Sequence, residues 1–487
     1  MITFLVSIVI LILGYFTYGK YVEKVFGHNE NRPTPAYVNS DGVDYVPMST
    51  PKNSLIQLLN IAGTGPVFGP IAGALYGPVA FIWIVVGCIF AGAVHDYLTG
   101  MISIRNKGAH LPALASKYLG KAMKHIVNIF ALLLLLLVGT VFVTSPAMLI
   151  NNLLDGKVAL SLIVGVIFVY YILATLLPID KIIGRLYPYF GALLVLSALG
   201  IGLVLVFTGA PIPELSFANM HPGELPIFPM LFFTITCGAL SGFHATQTPI
   251  ISRTTQNENQ GRKIFYGMMI AEGIIAMIWA AAAMSLFNGP VSLSELLAPG
   301  GPGPAGVVSE VSTITLGAVG GTLAVLGVVV LPITSGDTAF RAARMIIADF
   351  FKFSQAKVVS RLWIAVPLFA ISYVLTKIDF NILWRYFSWA NGVTAVIALW
   401  VGAMYLFLKK SNHWIATVPA IFMTSMVFIY IMYEPTMGFG MPLTASYIGG
   451  TIATIVIIAL FFITAYKKRG DNFVLDEDVS DFKMSQS

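Results

Sequence analysis

The chain has 487 residues, 57% of them hydrophobic and only 10% charged, against roughly 25% charged in a typical soluble domain. That excludes a water-soluble globule, and apolar runs of about 20 residues, long enough to span a bilayer, recur from end to end. The net charge of +6 implies a nucleic-acid partner only if the basic residues gather in one patch; they are spread over short loops, so none is expected.

The first apolar run, from Ile2 to Tyr21, has no charge ahead of it and carries Lys20 at its end and Lys24 just after it. A signal peptide carries its positive charge in front, so this run reads as a retained helix with its N-terminus outside. Reading apolar runs between polar or Gly/Pro-rich breaks places helices at 2–22, 53–76, 78–102, 124–151, 157–178, 184–209, 228–252, 264–288, 311–335, 358–377, 383–408, 413–434 and 442–466, thirteen in all. With the N-terminus outside, 25 of the 28 lysines and arginines fall in inner segments, leaving Lys157, Lys377 and Arg385 outside. This asymmetry is the positive-inside pattern, and it accounts for the basic charge. Cys88 and Cys237 both lie in apolar segments and read as small buried hydrophobes. After the ninth helix, Thr338 to Lys352 has amphipathic spacing and is expected to lie along the inner interface.

Two spans are interrupted. In lipid, non-helical backbone survives only where protein or a watery cavity surrounds it. The second helix nevertheless carries NIAGTGPVFGP at 60–70, with Gly63, Gly65, Pro66, Gly69 and Pro70 near its centre. The seventh, five helices later and of opposite direction, carries TCGALSGFHATQTP at 236–249. Glycines alone can serve close helix packing, but a matched pair of interruptions in two five-helix halves is the sequence pointer to a transporter binding site. The expected architecture is therefore an all-α integral membrane protein of about thirteen helices with a 5+5 inverted repeat. Its units are 1–52 (first helix and inner loop), 53–227 (first repeat), 228–411 (second repeat), 412–466 (two C-terminal helices) and 467–487 (a cytoplasmic tail).

At these residues the sequence resembles the carbon starvation protein A family, through TPAYVNSDGVDYVP (34–47), IAGTGPVFGP (61–70), AGAVHDY (91–97), ITCGALSGFHA (235–245), ITSGDTAFRAAR (333–344) and FSWANG (387–392). The resemblance implies the leucine-transporter fold of the amino acid–polyamine–organocation superfamily, a prokaryotic inner-membrane location with a cytoplasmic C-terminus, and import of peptides or pyruvate under carbon limitation. It also implies a sodium site in which Thr334 and Ser335 face carbonyls near Leu59 and Ala62; alternatively the two hydroxyls bond their own helix. No other metal and no cofactor is expected, and the coupling ion is H+ or Na+.

A carboxylated substrate suits the N–H groups freed around Gly63, Thr64 and Gly65. Phe243 is placed to close over it, Ser241, Gly242 and His244 to contact it, and Thr140 and Thr144, one turn apart, to line the same cavity. Asp337 is the N-cap of the amphipathic segment, or a proton carrier or ion ligand in the inner vestibule, or both. His95 and Asp96 are either a proton-coupling pair, since ionisable groups at membrane depth are costly and often functional, or a structural one. Glu272 is left without a role. The bilayer and a small solute are the expected partners, and the sequence sets no oligomeric state.

No GxxxxGK[ST] or HExxH spacing is present, so ATP-driven transport and a metal-dependent enzyme are disfavoured. A nutrient sensor is the alternative, although the inner loops are too short to hold a docking domain. A channel suits paired midplane breaks poorly.

Overall fold

A computed structural model describes all residues except 43, 177–178, 299, 356, 471–472 and 479–487; at 175–176, 179–188 and 190 it describes backbone alone. The lysine and arginine side chains expected at 181, 185 and 483 thus lie outside the described residues, as does most of the tail. Among the described residues the secondary structure is helical, with one isolated β-bridge between Met48 and Thr255.

In chain order the helices are α1 (Ile2–Phe26), α2 (Thr50–Ala62), α3 (Gly65–Tyr76) and α4 (Val79–Arg105). There follow α5 (Leu111–Leu119), α6 (Lys121–Leu153), α7 (Leu160–Leu176), α8 (Ile179–Phe207), a run of short turns α9 (227–239), and α10 (Gly242–Ser252). The second half continues with α11 (Glu258–Leu286), α12 (Pro290–Leu297), α13 (Gly303–Phe351) and α14 (Val358–Leu375), and closes with α15 (Phe380–Leu408), α16 (Trp414–Tyr433) and α17 (Leu443–Gly470). Among the described residues, nine of these are long and apolar enough to cross a membrane, or ten if the bent pair α2–α3 is one span. The chain is a multi-pass membrane protein.

α6 and α13 pack along each other, and α2, α10, α11 and α15 surround the same centre. α1 and α17 keep most of their apolar surface outward, where acyl chains replace water as the solvent.

The segment expected to lie along the interface is instead continuous with the ninth span. α13 runs unbroken from beyond a kink at Gly317 (φ 69°, ψ −176°) through Asp337 to Phe351. Asp337 lies well inside a continuous helix rather than at the start of one, so it is not an N-cap. Arg341 and Arg344 are each 1% exposed: the polar face that reads as an interfacial stripe is turned into protein. Two short helices, α5 and α12, occupy stretches expected to be loop.

Candidate functional site

The first break falls between α2 and α3, whose axes differ by 49°. Gly63 has φ 28° and ψ −154°, a backbone state that side-chain-bearing residues rarely adopt. Pro66 enters the first turn of α3, where its missing N–H would be unpaired anyway. The second break is the extended pair Leu240 (φ −162°, ψ 130°) and Ser241 (φ −136°, ψ 127°) between α9 and α10. Its repair comes from α15. The Asn391 carboxamide oxygen accepts from the Ser241 hydroxyl at 3.0 Å and from the Phe243 N–H at 2.7 Å. A Cβ on Gly242 would stand 2.1 Å from the Asn391 carbonyl oxygen, so glycine is what lets α15 approach.

The half-helices α2 and α10 are tied at their far ends. Asn53 accepts from the Thr254 hydroxyl at 2.7 Å and donates to Thr255 at 3.2 Å. At 1.5 Å rise per residue, Asn60 and Gln247 each stand about 10 Å above that tie, and Gly63 and His244 each about 15 Å. Around these levels lie buried polar atoms with no hydrogen-bond partner among the described residues: both amide atoms of Gln57 and Asn60, and the hydroxyls of Thr64 and Thr248. Such atoms cost about 1–3 kcal/mol each when left unpaired and mark a place built to meet something polar.

The site is closed. Phe142 of α6 meets Phe243 edge-on with centroids 5.7 Å apart, and a Cβ on Gly63 would lie 2.3 Å from the Phe142 ring. Gly65 is pressed against Cys237 of α9, where a Cβ would stand at 2.2 Å. Pro146 cannot supply the hydrogen bond that the Phe142 carbonyl would receive in a regular helix; the Tyr171 hydroxyl donates to it at 2.9 Å instead. Thr140 donates to the Leu136 carbonyl, with Ser372 at 2.9 Å, and Thr144 donates to the Thr140 carbonyl. These two hydroxyls are therefore engaged within α6 and with α14.

Ser335 spans the first break from α13: its hydroxyl donates to the Leu59 carbonyl at 2.7 Å and accepts from the Gly63 N–H at 3.2 Å. The Thr334 hydroxyl bonds to the Val330 and Leu331 carbonyls of its own helix. Ala62 is the last residue of α2 and fully buried.

His95 and Asp96, expected as a pair, form one group with His244, expected at the substrate, and with Glu272, which had no assigned role. Asp96 of α4 has one oxygen 2.8 Å from His95 Nδ1 and the other 2.9 Å from His244 Nδ1 of α10. His244 Nε2 stands 3.4 Å from a Glu272 carboxylate oxygen of α11. All four are at most 1% exposed. With Asp96 ionised, both imidazoles present Nδ1–H to it, and the remaining nitrogen of His244 faces Glu272. His244 is thus turned toward acids rather than into the gap between the half-helices. Glu272 had been given no role from the sequence, and Asn391, Gln57 and Asn60 had not been singled out as site residues. The only signals for them were FSWANG, which contains Asn391, and polar residues inside apolar runs. Among the described residues no cluster of His, Cys, Asp and Glu has the geometry to hold a metal ion.

Comparison with known proteins gives this arrangement a context. The chain is 48% identical over 352 residues to an uncharacterized membrane protein of Haemophilus influenzae, covering 62% of this chain and 95% of that one. It is 27% identical to the peptide transporter CstA of Bacillus subtilis, over 82% of this chain and 83% of the relative. It is 28% identical to the pyruvate/proton symporter BtsT of Escherichia coli, over 57% of this chain and 48% of the relative. The fold matches a solved Na+-coupled sialic acid symporter in a substrate-bound outward-open state, with a TM-score of 0.52 at 13% identity, over 94% of this chain and 97% of the other. The family model for carbon starvation protein CstA matches residues 1–157, 147–295 and 301–429, so this chain belongs to the carbon starvation protein CstA family.

Proposed function

We propose that the protein is a secondary active importer of small carboxylated nutrients, short peptides or pyruvate, working by alternating access and driven by a proton or sodium gradient. The observation that carries this reading is the pair of antiparallel half-helices α2 and α10 with unpartnered polar atoms at matched depth. Interrupted helices that meet inside a bundle bind solute and ion between freed backbone groups. In this reading the thirteen apolar segments are all spans. α2 to α8 and α9 to α15 form the two inverted five-helix repeats, with the N-terminus outside and the C-terminus in the cytoplasm. The substrate carboxylate meets Thr64 and the start of α3, while Gln57 and Asn60 read the rest of the solute.

Two ion stations are available. The Leu59 carbonyl and Ser335 hydroxyl offer hard oxygens to sodium. The Asp96, His244 and Glu272 group offers a buried place for a proton, which favours proton coupling, as does the name of the Escherichia coli relative. At 100 mV one charge gains about 2.3 kcal/mol, enough for roughly 50-fold accumulation.

The test is uptake by purified protein in liposomes, offering labelled pyruvate and labelled dipeptide under an imposed proton or sodium gradient. Concentrative uptake in one combination identifies substrate and ion together. Absence of uptake in every combination refutes the importer and leaves a solute sensor.

A further inference from the structure

At the end of the bundle that carries Arg105, Lys117 and Lys468 there is a cavity of about 510 Å3, outside the site described above. It lies between the α4–α5 loop, the start of α6, the residue after α10 and the end of α13. Four cations line it, Lys107, Lys124, Arg253 and Lys352, against one acid, Asp349. Arg253 is held rigidly: Nε donates to the Gly108 carbonyl at 2.9 Å and the guanidinium lies 4.9 Å from the Tyr45 ring centroid. That leaves its two terminal nitrogens for the cavity.

A general excess of basic residues at one membrane face explains exposed lysines such as Lys107 and Lys352. It does not explain the two polar side chains buried in the wall. Among the described residues, His110, 3% exposed, has neither ring nitrogen hydrogen-bonded, and the amide nitrogen of Asn128, a residue 7% exposed, has no acceptor. Both line the cavity. An imidazole N–H and an amide N–H in the wall of a space lined by three ammonium groups and a guanidinium are donors suited to an acceptor-rich ligand.

The charge balance selects the ligand. A monocarboxylate neutralises one of the excess cations, whereas a phosphate monoester or diphosphate brings two or three charges and several acceptor oxygens, which a guanidinium engages two at a time. We propose that this cavity binds a phosphorylated ligand, held by Lys107, Lys124, Arg253 and Lys352 with His110 and Asn128 donating from the wall. The phosphate comes either from a soluble metabolite or from an anionic lipid headgroup. The proposal does not rest on what the central site carries, and its test does not read transport.

The protein is reconstituted in nanodiscs of zwitterionic lipid and titrated calorimetrically with inorganic pyrophosphate. In parallel, protein purified from membranes containing phosphatidylglycerol is weighed intact for retained lipid. The comparison protein is Lys124→Gln/Lys352→Gln, with Lys107→Gln, at an exposed position, as a second variant should the first fold poorly. The expected result is pyrophosphate binding weakened about tenfold or more in the double variant, which identifies a soluble ligand. Retention of phosphatidylglycerol by the wild type and its loss in the variant identifies the lipid source. Wild type that binds neither probe, or binding equal in wild type and variants, overturns the proposal.

Discussion

Gly63→Ala tests the geometry of the first break. Two costs are legible. The added methyl would stand 2.3, 2.7 and 3.1 Å from three atoms of the Phe142 ring, and overpacking of this kind costs about 1–3 kcal/mol. The backbone φ of 28° adds about 1–2 kcal/mol for a residue with a Cβ. Together they predict about 2–5 kcal/mol. Unfolding entropy of about 2.1 cal/mol/K per residue turns each kcal/mol into about 1 °C for a chain of this length, so the melting temperature should fall by about 2–5 °C. A thiol-reactive fluorophore suits the measurement, because Cys88 and Cys237 are both free and buried. Adding Phe142→Leu separates the two costs: the steric part is relieved and the backbone part stays, giving a coupling of about 1–3 kcal/mol in a double-mutant cycle. A Gly63→Ala protein that melts with the wild type refutes both costs. A coupling of zero refutes the contact with Phe142 as the constraint on the break.

Three further outcomes follow from the same geometry. Asp96→Asn keeps one acceptor oxygen where two imidazoles now bond, losing about 1.5–3 kcal/mol for one charge-assisted hydrogen bond; gradient-driven accumulation in liposomes should vanish while solute counterflow persists, and unchanged accumulation would remove Asp96 from coupling. Asn391→Leu leaves the Phe243 N–H and the Ser241 hydroxyl without their acceptor at about 1–3 kcal/mol for each orphaned group, so a wild-type melting temperature with unaltered uptake would refute the repair role. Burial, with Arg253 nearby, holds the His110 imidazole well below its ordinary value of 6.5. The unfolded chain therefore binds a proton near pH 6.5 that the folded chain refuses, and stability falls as pH drops below that value. His110→Gln should flatten the decline in melting temperature between pH 7 and pH 5, and an identical decline in both proteins would contradict it.

The breaks could be found in the sequence because Gly63, Gly65 and Pro66 violate helical preference in a place where lipid forbids irregular backbone. The relations across the bundle could not. His244 and Asp96 are 148 residues apart and Asn391 and Phe243 likewise, and a hydropathy pattern fixes the depth of a residue but not the direction in which its helix is turned. Glu272 illustrates this: an acid inside an apolar run was visible, its neighbour His244 was not. Ser335 and Thr334 are adjacent and chemically alike, yet one step of helix rotation gives the bridge to Leu59 to Ser335 and sends Thr334 back to its own turn. Arg341 and Arg344 mislead for a related reason. An amphipathic stripe announces a polar neighbour, and here that neighbour is protein rather than headgroups.

The Asn53 side chain has a consequence for motion. By holding Thr254 and Thr255 it joins α2 to the end of α10 at the point farthest from both breaks, and the Met48 N–H adds a bond to the Thr254 carbonyl at 2.9 Å. Two rods fastened at their tips pivot as one lever. In the proposed alternating-access cycle, a passage toward the basic end would therefore open beside the pair rather than between its members, and a spectroscopic label on either helix would report the displacement of both.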